Sequence, residues 1–143
     1  MKFLVINGVN LNLTGKREQG VYGKESLDDI NKKIADYCAK NGDEVSFYQS
    51  NIEGEIVNKL HDAFLNKSCD AIILNAGAYT HYSYAIRDAI ASIDIPVAEV
   101  HISNVHAREE FRNTSVLSSV CKGVVCGLGV GSYIGAIEGL KNR

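Results

Sequence analysis

Glu99 and His101 stand two residues apart, the spacing that puts two side chains on one face of an extended strand. A carboxylate beside an imidazole orients the ring and favours imidazolium, the form a general acid needs near neutral pH. A surface ion pair is the plainer alternative, and a position at the end of a strand favours the acid. A second pair lies near the amino terminus, where Arg17 and Tyr22 share one loop. A free phenol titrates near 10, and each unit of depression takes about 1.36 kcal/mol of differential stabilisation. One or two guanidinium groups in a closed, dry site can supply that, which makes Tyr22 a candidate base. Around these pairs fall the amides Asn12 and Asn75, the hydroxyl of Ser103, a further imidazole at His81, and Arg108 and Arg112. Such a set suits a small polyhydroxylated anion.

These residues need a scaffold that brings them to one rim. Five apolar, β-branched runs, at 3–6, 45–48, 71–74, 97–100 and 123–126, alternate with helical patterns. Residues 26–40 place Leu27, Ile30, Ile34, Tyr37 and Cys38 on one helical face, with Ser26 as N-cap and Gly42 just past the stop. From Glu53, Ile56, Val57, Leu60 and Phe64 repeat the spacing. Residues 83–93 carry Ile86, Ala89, Ile90 and Ile93, and a last helix from about Ser132 carries Ile134, Ile137 and Leu140. Pro96, the sole proline, opens the fourth strand, where a missing N–H is tolerated. Strands alternating with helices of this length predict βαβ units with right-handed crossovers. The fold class is therefore α/β, a flavodoxin-like, doubly wound, five-stranded parallel sheet with helices on both faces. Ligands of such sheets bind beyond the carboxyl ends of the strands. The candidate residues fall there, mostly in two long connections, 8–25 and 101–115, and ordered loops above about 12–15 residues are usually functional.

Composition narrows the classes. The 143 residues make one domain with a formal net charge of −2, 45% hydrophobic and 22% charged residues. The near-neutral balance speaks against a nucleic-acid partner. No apolar run is long enough for a membrane span. The amino terminus reads as a buried first strand rather than a signal peptide, which predicts a cytoplasmic protein. Cys38, Cys69, Cys121 and Cys126 form no C-x-x-C pair and are expected to be reduced, buried thiols. His61 reads as a surface residue, and the spacing of His101 and His106 matches no common metal-ligand motif. Gly127-Leu128-Gly129-Val130-Gly131 is not a dinucleotide fingerprint and reads as a tight strand-to-helix turn. Residues 8–15 lack the Lys-Ser/Thr of a phosphate loop, and no carboxylate cluster follows the first strand as a phosphoacceptor module requires. Two rivals remain: a flavodoxin-like module that binds a nucleotide or flavin without turnover, and a lyase of a related hydroxy acid.

Three blocks carry a family resemblance. Asn7-Gly8-Val9-Asn10-Leu11-Asn12-Leu13-Thr14-Gly15-Lys16-Arg17-Glu18 with Tyr22-Gly23 resembles the amino-terminal signature of type II 3-dehydroquinate dehydratases. Asn75-Ala76-Gly77-Ala78-Tyr79-Thr80-His81 through Asp88-Ala89 is similar to the family's second block. Glu99-Val100-His101-Ile102-Ser103-Asn104 through Arg108-Glu109-Glu110-Phe111-Arg112 is similar to the third. Val9 and Gln19 stand where the family usually has proline, a difference that bears on loop stiffness. The resemblance implies elimination of water from 3-dehydroquinate through an enolate, without cofactor or metal, in shikimate or quinate metabolism. It implies that Tyr22 is the base, that Arg17 holds the phenolate, and that Asn12 stabilises the enolate through a water. His101, oriented by Glu99, would protonate the leaving hydroxyl. Asn75 and the backbone of Ile102 and Ser103 would bind the carboxylate, and His81 and Arg112 the ring hydroxyls. Asp88 would reach the site from a neighbouring subunit of a trimer, with trimers assembled into a dodecamer.

Overall fold

In a computed structural model that describes residues 1–143, the five apolar runs are strands β1 (Lys2–Asn7), β2 (Glu44–Gln49), β3 (Ala71–Asn75), β4 (Val97–His101) and β5 (Gly123–Cys126). Every pairing is parallel, and the strand order is β2-β1-β3-β4-β5, as the strand–helix alternation predicts. The helices are α1 (Gln19–Tyr22), α2 (Leu27–Lys40), α3 (Glu53–Leu65), α4 (Tyr84–Ser92) and α5 (Val130–Asn142).

A parallel sheet is covered on both faces, which is why its strands read as continuous apolar runs. Phe3, Val5, Ala71, Ile73, Ala98 and Val100 pack under α2 and α5. Leu4, Ile6, Ile72, Leu74 and Val97 pack under α3, α4 and Leu117. Ser26 caps α2 as expected: its hydroxyl accepts from the Asp29 N–H at 3.0 Å, and the Asp29 carboxylate accepts from the Ser26 N–H at 3.0 Å. Ser83 caps α4, accepting from the Ile86 N–H at 3.1 Å. No helix is long and apolar enough to cross a membrane.

Four readings need correction. Helix α5 begins at Val130, two residues before the expected Ser132, because the Ser132 hydroxyl closes the glycine turn by accepting from the Leu128 N–H at 3.1 Å. Its core face is Tyr133, Ala136, Ile137 and Leu140, and Ile134 is only half-buried. Of the four free cysteines only Cys38 is buried; Cys69, Cys121 and Cys126 are half-buried. The first long connection is not irregular throughout, since it holds a 3-10 turn at Leu11–Leu13 and the short α1.

That connection presses on the one after β3. A Cβ on Gly8 would overlap the Ala76 carbonyl, and one on Gly77, at φ +64°, would lie 2.8 Å from the Val9 carbonyl oxygen. Both positions need glycine for this approach.

Candidate active site

The cleft opens beyond the carboxyl ends of β1, β3 and β4. Asn10, Arg17, Tyr22, Asn75, His81, His101, Ile102, Ser103, Arg108 and Arg112 line it. Its free volume is about 70 Å³, well under the roughly 300–1,000 Å³ of ordinary small-molecule sites. The 8–25 connection supplies Asn10, Arg17 and Tyr22 to its wall, a loop held in place from the neighbouring strand.

The end of β2 grips that loop. The Asn51 side chain accepts from the Asn10 N–H at 2.9 Å, and Gln49 donates to the Gly8 carbonyl at 3.2 Å. Further along, Gln19, where the family usually has proline, donates to the Gly15 carbonyl at 2.9 Å. Helix α1 delivers Tyr22 to the cleft between two guanidinium groups. Arg108 Nη1 donates to the phenol oxygen at 2.7 Å and to Ser103 Oγ at 3.3 Å. The Arg17 guanidinium lies over the ring, 4.7 Å from its centroid, while its Nη1 pairs with Glu18 at 2.7 Å.

Opposite stands a buried acid–imidazole pair. His101 Nε2 donates to Glu99 Oε2 at 2.6 Å, with Glu99 1% and His101 6% exposed. The other carboxylate oxygen, Oε1, accepts from Ser115 Oγ and Ser118 Oγ, each at 2.8 Å. Burial alone would push the Glu99 carboxyl up. The hydrogen bonds from His101, Ser118 and Ser115, with the His101 charge, outweigh it and hold the carboxyl below its ordinary 4.5. The pair is no surface ion pair: Glu99 stays behind His101, away from the cleft, and fixes the ring. The His81 ring stacks on His101 at 6.5 Å between centroids. Its Nδ1 lies 2.7 Å from the Thr114 carbonyl, which can only accept, so Nδ1 carries the proton and Nε2 is left as the free nitrogen.

Asn75 is 2% exposed at the end of β3 and lines the cleft. Arg112 is braced by Glu109 at 3.1 Å. Two predicted residues lie elsewhere. Asn12 is exposed and lines a separate depression with Thr14, Lys16 and Ser26. The reason is local: Asn10 precedes the 3-10 turn in the left-handed region, at φ 67°, whereas Asn12 lies within the turn, and Asn10 faces the cleft while Asn12 does not. Asp88 is exposed on α4, pairs with Arg87 at 3.2 Å, and does not line this chain's own cleft. Two polar residues to which the family resemblance assigned no role line the cleft, Asn10 and Arg108. Arg108 stood within the third block, but the sequence holds no sign that it meets a tyrosine 86 residues away. No three His, Cys, Asp or Glu side chains cluster as metal ligands.

Comparison with known proteins gives the same picture over the whole chain. The family model described as dehydroquinase class II matches residues 1–141. The 3-dehydroquinate dehydratase of Caldicellulosiruptor bescii is 56% identical over 140 residues, 98% of this chain and 96% of that protein. That of Thermotoga maritima is 50% identical over 143 residues, 100% of this chain and 96% of that protein. The crystal structure of type II dehydroquinase from Butyrivibrio crossotus superposes with a TM-score of 0.96 at 52% identity, covering 99% of this chain and 98% of that one. Sequence, fold and the three matched blocks agree, and the chain belongs to the class II dehydroquinase family.

Proposed function

We propose that this hydro-lyase eliminates water from 3-dehydroquinate to give 3-dehydroshikimate through an enolate, in shikimate biosynthesis or quinate breakdown. The observation that carries the reading is one cleft holding Tyr22, 2.7 Å from a guanidinium, together with an imidazole bound to a buried carboxylate. The two guanidinium groups stabilise a phenolate at Tyr22, which takes the proton alpha to the ketone. The electron pair of that C–H bond moves to the ketone oxygen as an enolate. As the enolate collapses, the C–O bond to the hydroxyl breaks, and His101, oriented by Glu99, gives the leaving oxygen its proton. Carbon is neither oxidised nor reduced overall, so the chemistry asks for no redox cofactor.

Asn10, in place of Asn12, is the amide positioned for the enolate side. Asn75 with the backbone of Ile102 and Ser103 is assigned the carboxylate, and His81 with Arg112 the ring hydroxyls. Asp88 serves the cleft of a second copy, in a trimer that assembles into a dodecamer. In support, Asp88 is exposed on α4 and away from its own cleft.

No lysine lines the cleft, which supports a route without a Schiff base. The test follows enone absorbance from 3-dehydroquinate in wild type, Tyr22→Phe and His101→Ala. General acid–base groups are typically worth about 10²–10⁴-fold each, and both variants are expected to fall in that range. Borohydride added with substrate should leave activity intact. Wild-type turnover in either variant, or a covalent adduct on reduction, overturns the reading.

A further inference from the structure

Beneath the cleft, three polar side chains occupy a layer that the sheet otherwise fills with aliphatic groups. Asn7 and Asn75 end adjacent strands in register, on the face that Phe3, Val5 and Ile73 bury under α5. Tyr133, in the first turn of α5 and fully buried, puts its hydroxyl between them. That hydroxyl donates to Asn7 Oδ1 at 2.6 Å and accepts from Asn75 Nδ2 at 2.9 Å. On its other edge, Asn75 Oδ1 accepts from the Gly77 N–H at 3.2 Å.

These bonds fix the polarity of the Asn75 amide. A flipped amide would face its oxygen to a hydroxyl whose only proton is committed to Asn7, and its NH₂ to the Gly77 N–H, which is another donor. In the observed orientation Nδ2 makes a single hydrogen bond within the chain, which leaves its second N–H unused in a residue that lines the cleft. The network also carries a cost: Asn7 Nδ2 is buried without a hydrogen-bond partner. Aliphatic side chains at these positions would avoid that cost, so packing alone does not account for the trio.

We propose that Tyr133 is a positioning residue for substrate binding, its hydroxyl holding the Asn75 amide with an N–H toward the bound carboxylate. The inference rests on the role assigned to Asn75 above. It assigns a binding function to a side chain that never touches the substrate.

The test is a double-mutant cycle on the intact enzyme with Tyr133→Phe, Asn75→Ala and both together, scored on kcat and KM for 3-dehydroquinate. Tyr133→Phe keeps the ring and removes only the hydroxyl. A net hydrogen bond corresponds to roughly a 2–13-fold change, so KM is expected to rise by about that factor, with kcat nearly unchanged. In the Asn75→Ala background the same change is expected to have almost no further effect on KM. Should Tyr133→Phe fail to fold, Asn7→Ala releases the phenol proton without touching the ring, and it is expected to give the same KM signature. Unchanged KM in Tyr133→Phe beside a raised KM in Asn75→Ala overturns the inference and leaves the Asn75 assignment standing. Additive KM effects in the cycle do the same. Unchanged KM in Asn75→Ala overturns both.

Discussion

Replacing Glu99 by glutamine is the sharpest perturbation of the acid side. The substitution is nearly isosteric and keeps an oxygen and a hydrogen-bonding group in a site that is 1% exposed. It removes the negative charge that His101 Nε2 meets at 2.6 Å. Hydrogen bonds to a charged partner are worth about 1.5–3 kcal/mol, and tenfold in rate corresponds to about 1.36 kcal/mol. The expected loss is therefore about 10–150-fold, and it falls on kcat, because the role proposed for His101 is to protonate the leaving hydroxyl. A second readout is stability against pH. The Glu99 carboxyl is held below its ordinary 4.5 in the folded chain, so the unfolded chain binds the proton more readily. Its contribution is then fully present above the unfolded value and is lost as pH falls through the lower folded one. Chemical denaturation at pH 7 should show the wild type more stable than Glu99→Gln, and the gap should close as pH is taken below about 4. A gap independent of pH would show that the carboxylate is not the stabilised form. A loss confined to KM would refute the orienting role.

Other perturbations test the lid, the loop packing and the thiols. Arg108→Ala removes the 2.7 Å donor to Tyr22 and should lower kcat/KM by about 10–150-fold; Arg108→Lys should recover little, because an ammonium does not reproduce the planar fork. A loss under threefold in steady-state assays would mean the contact is not used. Gly8→Ala drives a Cβ into the Ala76 backbone and should cost about 1–3 kcal/mol, read as a lower midpoint in thermal unfolding; an unchanged midpoint contradicts the close approach. Burial, and then the Glu99 charge, push the Cys121 thiol up to about 12. Alkylation of the native protein at pH 8 should spare Cys121, whereas the unfolded chain should react there; rapid native labelling mapped by mass spectrometry would disprove this.

The fold is legible in the sequence because both faces of the sheet are buried. Runs such as Ala71-Ile72-Ile73-Leu74 have no solvent side to alternate toward, and α2 announces itself by Ser26 and Asp29. The Glu99–His101 pair is legible for a similarly local reason, since residues two apart on a strand share a face and can meet. What escapes the sequence is contact across distance. Arg108 reaches Tyr22 only because the second long connection folds back over the first. Asn10 and Asn12 are told apart only by the backbone: Asn10 is left-handed before the 3-10 turn and Asn12 lies within it. Tyr133 is not legible because an aromatic in an apolar helix reads as packing, and only its hydroxyl partners, 126 and 58 residues away, distinguish it.

The cleft uses both faces of the sheet, and this follows from strand alternation. On β1 and β3 the residues of the α2–α5 face are Phe3, Val5, Ala71 and Ile73, and the next in each series are Asn7 and Asn75. On β4 the opposite face runs Val97, Glu99, His101, with Glu99 in register beside Leu74. Each core layer thus turns polar at its last step before solvent, and each polar end is bonded from beneath: Tyr133 under the amides, Ser115 and Ser118 under the carboxylate. The acid and the carboxylate-binding amide, the roles proposed for His101 and Asn75, would have to share one helix layer and one set of supports if they stood on the same face. Placed on opposite faces, they are supported independently and meet only at the rim, where the loop carrying Tyr22 closes over both.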